Sequence, residues 1–127
     1  MISALYISLS ALLICGLSLN VIKKRRAYKI SMGDGRNKAL KIAIAAQANA
    51  IEYLPIALLL LCALEYNQAP IFIIHLLGIL LLTGRVMHAR HFLLENLKGR
   101  VLGMQITLYT IICLALLNIV YLPLFWF

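Results

Sequence analysis

Charged side chains are absent from Met1 to Ile22 and then arrive together as Lys23-Lys24-Arg25-Arg26. An apolar run of that length matches about 30 Å of hydrocarbon at about 1.5 Å rise per residue, so the pattern predicts a first membrane helix over about 1–30. A cleaved signal peptide is the competing reading. It fits less well, because the basic cluster follows the apolar run and no A-x-A-like site appears. A second helix is predicted over about 37–66, polar in its first half and strongly apolar through Leu54 to Leu61. A third, over about 70–94, is entered by Pro70 at its first turn, a position that loses no helical hydrogen bond. A fourth, over about 101–125, carries no charge, and Tyr121 to Phe127 form an aromatic-rich end suited to the membrane interface. The expected architecture is all-α, an integral membrane four-helix bundle in one domain over 1–127.

Composition strengthens this reading. Of 127 residues, 64% are hydrophobic and 13% charged, more apolar than a chain of this size can hide from water. A cytosolic enzyme or a nucleic-acid module is thereby excluded, although the net charge of +8 would suggest nucleic acid in a soluble protein. The cations instead report orientation. Eight lie around loop one (Lys23, Lys24, Arg25, Arg26, Lys29, Arg36, Lys38, Lys41) and four around loop three (Arg85, Arg90, Lys98, Arg100), while loop two and both termini have none. The positive-inside rule then puts the basic loops in the cytoplasm and both termini outside it, which in a bacterial inner membrane is the periplasm. Loop one contains Gly33 and Gly35, which permit a tight turn, and Asn37 or Asp34 to cap the next helix. Cys15, Cys62 and Cys113 are scattered singly among apolar residues and read as packing residues, without disulfide or zinc-site spacing.

Polar groups within membrane helices are costly and therefore mark candidate chemistry. The second helix supplies Gln47, Asn49, Glu52 and Tyr53. At about 100° per residue, Asn49, Glu52 and Tyr53 share a face and Gln47 points about 200° away from Asn49. That split suits a site between subunits, one copy giving Asn49, Glu52 and Tyr53 and its neighbour Gln47. Helix-to-helix hydrogen bonding without a ligand is the plainer alternative for Gln47 and Asn49. Glu52, however, needs a positive partner on a side where Asp34, Glu52 and Glu95 face twelve cations, an excess that describes an anion-binding cavity. Pro55 removes a backbone donor from this helix and frees the carbonyl of residue 51, which predicts a kink. On the third helix Arg85, His88 and Phe92 fall on one face and can line the same cavity. His75 reads as a packed histidine bonded to a carbonyl, and His75, His88 and His91 have no metal-site spacing. Arg100 is either a boundary anchor or a cation aimed into the cavity.

These residues resemble the family of membrane-associated proteins in eicosanoid and glutathione metabolism, MAPEG, over essentially the whole chain. Ala46-Gln47-Ala48-Asn49-Ala50-Ile51-Glu52-Tyr53-Leu54-Pro55 is similar to the family's second-helix signature, R-A-[HQ]-x-N-x-x-E-[YN]-x-P. Arg25 to Ser31 is similar to the R-R-A-F-R-V-S stretch of leukotriene C synthase, Gly84 to His88 to the G-R-x-x-H of prostaglandin E synthase, and Arg100 to Met104 to the R-x-x-G-M of bacterial members. The resemblance implies a homotrimer of four-helix subunits with glutathione, the co-substrate, bound between neighbours. Carried over by position, Arg25, Gln47, Asn49, Glu52 and Tyr53 would hold the glutathione peptide. Arg100 is the matching candidate for the thiolate-stabilising arginine, and Arg85 and His88 complete the substrate-binding set. The chain departs from the pattern at Ala45, where catalytic members carry arginine, and at Phe92, where the two synthases carry tyrosine.

The function expected from these features is a glutathione-dependent transferase or peroxidase acting on lipophilic small molecules dissolved among membrane lipids. A non-catalytic scaffold that binds glutathione or lipid is the alternative, favoured by Ala45 and Phe92. A small multidrug exporter also fits four helices and one membrane carboxylate, but its antiparallel dimer conflicts with the charge asymmetry.

Overall fold

A computed structural model describes residues 1–122 and contains four helices: α1 (Ser3–Tyr28), α2 (Lys38–Tyr66), α3 (Ile71–Leu93) and α4 (Leu97–Tyr121). All four are long and apolar enough to cross a membrane, and no strand occurs among the described residues. The chain is therefore an integral membrane protein with four spans. Of the expected aromatic end, residues 123–127 lie outside the described residues.

Local sequence sets the helix ends. Asn37 accepts a hydrogen bond from the Leu40 amide at 3.0 Å and Asn96 one from the Gly99 amide at 3.2 Å, so both act as N-caps. The second cap starts α4 at Leu97, four residues before the position expected from hydropathy, and it puts Arg100 inside the first turn. Gly33 and Gly35 take left-handed backbone, as the turn in loop one requires. The α1 N-terminus is capped from a distance. Glu65, in the last turn of α2, accepts from the Ile2 and Ser3 amides and from the Ser3 hydroxyl. A carboxylate there satisfies orphan donors and faces the positive end of the helix dipole. Despite Pro55, α2 is helical without interruption from Lys38 to Tyr66.

α2 and α3 form the centre of the bundle. Each touches both of the others, α1 packs chiefly on α2, and α4 packs chiefly on α3. α3 and α4 come close where glycines face each other: a Cβ added to Gly103 would lie 2.6 Å from the His88 backbone nitrogen, and one on Gly84 would lie 2.8 Å from Thr107 Oγ1. The interior is filled by Leu54, Ala57, Leu61 and Leu64 of α2 against Ile74, Leu77 and Leu81 of α3, with Leu17 and Leu114 from the outer helices. Cys15 and Cys113 are exposed and Cys62 is half-buried. The expectation that all three are packing residues therefore fails for Cys15 and Cys113, and a thiol is apolar enough to stand on the outside of a membrane helix. His75 bonds to the Tyr6 hydroxyl, 2.7 Å from its Nδ1, instead of to a carbonyl as expected.

Candidate functional site

The middle of the bundle holds one fully buried charge. Arg85 is 2% exposed, on the face of α3 that meets both α2 and α4. Its Nε donates to Thr107 Oγ1 at 3.0 Å, and its Nη1 donates to Asn49 Oδ1 at 2.8 Å and more weakly to the Asn49 carbonyl at 3.4 Å. The guanidinium carbon lies 5.4 Å from the centre of the Tyr53 ring, within cation–π range. Thr107 in turn donates to the Gly103 carbonyl at 2.9 Å, as a helical threonine does one turn back. Arg85 thus joins α2, α3 and α4 without a carboxylate, and its Nη2 has no hydrogen-bond partner. A buried arginine at membrane depth held only by neutral groups is costly, which makes it the first candidate for a functional group.

One turn further along α3, His88 is buried. Its Nδ1 lies 3.0 Å from the Arg100 carbonyl, which can only accept, so Nδ1 carries the proton and Nε2 remains buried without a partner. The close approach at Gly103 permits this contact, because a side chain there would push the α3 backbone away from α4. Phe92 lies beneath both neighbours, its ring centre 5.7 Å from the His88 ring and 4.8 Å from the Arg100 guanidinium carbon. Phe92 and Arg100, but not His88, also border a cavity of about 250 Å³ shared by Ile42, Glu95 and Leu97. Arg100 is half-buried with its charge over the Phe92 ring and lines this small cavity, which none of Asn49, Glu52, Tyr53, Arg85 and His88 borders.

Asn49, Tyr53, Arg85, His88 and Arg100 are therefore brought into one connected band. Glu52 lies at its edge. It is exposed on the outer surface of α2, and no ion pair or hydrogen bond holds it among the described residues. Two residues lie apart. Gln47 donates to Ser18 Oγ at 2.7 Å, across the α1–α2 contact. This corrects the argument that its position on the far side of α2 demands a second subunit, since α1 of the same chain satisfies it. Arg25 donates to the Gly33 carbonyl at 2.8 Å and to the Ile30 carbonyl at 3.4 Å, and in this structure it braces loop one. Among the described residues, no His, Cys, Asp and Glu cluster suits a metal ion.

Sequence reasoning missed Thr107. The available signal was a threonine four residues after Gly103, a hydroxyl placed where α4 meets the helix that carries the arginine. It also missed the Glu65 cap, because the α1 N-terminus that Glu65 serves is 62 residues away in sequence.

Comparison with known proteins places this band in context. Residues 3–120 match the model of the MAPEG family. The chain is similar to the inner membrane protein YecN of Escherichia coli strain K12, with 40% identity over 123 residues that cover 97% of this chain and 94% of that protein. The YecN protein of Escherichia coli O6:H1 gives the same identity and coverage.

Proposed function

The chain belongs to the MAPEG family, and from that premise we propose that it binds glutathione at the Asn49–Arg85–Arg100 band and uses it, as a transferase or peroxidase, on lipophilic electrophiles in the membrane. The observation that carries the reading is Glu52. An exposed carboxylate on a membrane-spanning helix, with no cation of its own chain, calls for a positive partner from outside, and the glutathione ammonium supplies one. The glutathione carboxylates find their cations on the arginine side of the band, and Asn49 and Tyr53 hold the peptide between.

In the transferase reaction the glutathione thiol gives up its proton to solvent water and the sulfur lone pair attacks the electrophilic carbon. With a halogenated nitroarene, the new carbon–sulfur bond replaces the carbon–halogen bond and halide departs with its electron pair. A free thiol has a pKa of about 8.5, so a guanidinium beside it raises the fraction of reactive thiolate at neutral pH. Arg100, facing the cavity across Phe92, takes that role.

Calorimetry with the detergent-purified protein is expected to detect glutathione, and stopped-flow absorbance to detect its thiolate. Turnover of the nitroarene should be weak. Ala45 leaves one carboxylate without its arginine, and a charge-assisted hydrogen bond contributes about 1.5–3 kcal/mol, about ten- to a hundredfold in affinity. Glu52→Gln should weaken binding, whereas Arg100→Ala should spare binding and lower the thiolate signal and the rate. Absence of binding at millimolar glutathione overturns the proposal. Binding with no thiolate and no turnover selects the scaffold reading, which Phe92 favours because a phenyl ring under Arg100 offers no hydroxyl to a sulfur.

A further inference from the structure

A second cavity, about 460 Å³, opens at the basic end of the bundle between α1, the start of α2 and the α3–α4 loop. Its polar lining is Lys24 of α1, Lys38 of α2 and Glu95 of the loop, which is ion-paired with Lys38; Ala39, Ile42 and Leu93 form the apolar part. Lys38 and Glu95 meet at 2.9 Å, and both side chains are at least half exposed. Lys38 and Ala39 are the first two residues of α2, so their amides have no intrahelical acceptor and add the positive end of a helix dipole to the two ammonium groups.

We propose that this groove binds one phospholipid whose headgroup carries a phosphodiester and a primary amine. The phosphate belongs against Lys24, Lys38 and the α2 N-terminus, with Lys38 able to hold the phosphate and Glu95 together. The lipid amine belongs on Glu95, which can accept its hydrogen bonds. The first acyl carbons follow Ile42, Ala39 and Leu93 downward, since these residues lead from the loops into the spanning segments. A single-sign basic patch would suit any anion. A carboxylate lining the groove together with two lysines suits a zwitterion instead, and at a membrane boundary the abundant zwitterion that joins a phosphate to an amine is a phospholipid. A quaternary ammonium headgroup offers Glu95 charge but no N–H donor, so the groove distinguishes the two headgroups by hydrogen bonding. The groove shares Ile42 and Glu95 with the Arg100 cavity but none of its arginines, and the inference does not rest on glutathione binding.

Native mass spectrometry of the full chain, released from nanodiscs containing equal phosphatidylethanolamine and phosphatidylcholine, tests it. The expected result is about one retained phosphatidylethanolamine per chain, in about tenfold excess over phosphatidylcholine, a ratio equal to about 1.4 kcal/mol. Glu95→Gln should erase the preference without ejecting lipid, and Lys24→Gln with Lys38→Gln should lower retention of both lipids about tenfold or more. Thermal unfolding of these surface variants checks that each is folded, and Lys24→Gln alone gives the same direction of change if the double variant is not. Water-soluble glycerophosphoethanolamine should fail to displace the lipid. Equal retention of the two lipids, retention unaffected by the lysine substitutions, or displacement by the soluble headgroup at equal concentration would each overturn the proposal.

Discussion

Arg85 carries a permanent charge into an interface where every neighbour is neutral: an amide oxygen, a hydroxyl, a carbonyl and an aromatic ring. Each contact is therefore more consequential than its length suggests, because removing one exposes a guanidinium donor to a medium that cannot replace it. Thr107→Val keeps the shape of the side chain and deletes the acceptor for Nε. It is expected to destabilise the protein by about 1–3 kcal/mol, read as a lowered midpoint of thermal unfolding in detergent. An unchanged midpoint would mean that the Thr107 contact contributes nothing. The residue pattern made Arg85, His88, Asn49 and Tyr53 legible in advance, since polar groups at helical spacing stand out against an apolar background. It could not pair them. Which faces of different helices meet depends on their relative rotation, and no single helix encodes that. Gln47 shows the limit from the other side: its angle on α2 was read correctly, but the Ser18 that satisfies it lies 29 residues earlier on a helix whose own face was not assigned.

Helix boundaries followed hydropathy closely where a charge or proline marks them and less well where a cap decides. Asn96 starts α4 ahead of its apolar run, because a side-chain oxygen on the Gly99 amide makes the first turn stable while it is still polar. Glu65 belongs to the same class of device but acts on another helix. Glu65→Ala should leave α2 in place and release the first turn of α1, seen as faster hydrogen exchange at the Ile2 and Ser3 amides, with a loss of about 0.5–2 kcal/mol typical of a missing cap. At the α3–α4 crossing the controlling residue is Gly103. Its replacement by alanine puts a methyl 2.6 Å from a backbone nitrogen that cannot move as a side chain would. The expected outcome is separation of the two helices and loss of the His88–Arg100 carbonyl bond. A destabilisation of about 1–3 kcal/mol should accompany it, as for other overpacked interfaces, again measured by thermal unfolding.

For the whole molecule, charge and packing make separable statements. The Lys38–Glu95 pair joins the beginning of α2 to the α3–α4 loop, and Glu65 joins the end of α2 to the beginning of α1, so the two basic loops share one end of the bundle. Apart from Arg85, buried within α3, the Lys and Arg residues lie in or beside those two loops, and moving even one to the centre of a bilayer costs about 2.5–3.5 kcal/mol on insertion scales. Reporter fusions at the C-terminus are therefore expected to be active outside the cytoplasm, and cytoplasmic activity would reverse the placement of the arginine band.

Oligomeric state has a different basis now that Gln47 is satisfied within its own chain. Among the described residues, one membrane carboxylate remains unpaired, Glu52, on the surface of α2 beside the band, in a helix whose exposed neighbours Ile51, Pro55 and Ile56 are apolar. Lipid cannot satisfy a carboxylate at that position, whereas a neighbouring copy with its surplus of arginines can, with or without a bound ligand between them. Family membership sets the expected number of copies at three. Native mass spectrometry of the detergent-purified protein should show trimers, and Glu52→Leu should shift the distribution only if the carboxylate itself reaches across the interface. A trimer indifferent to that change would assign Glu52 to the ligand alone, and a protein found only as monomers or dimers would remove the intersubunit site.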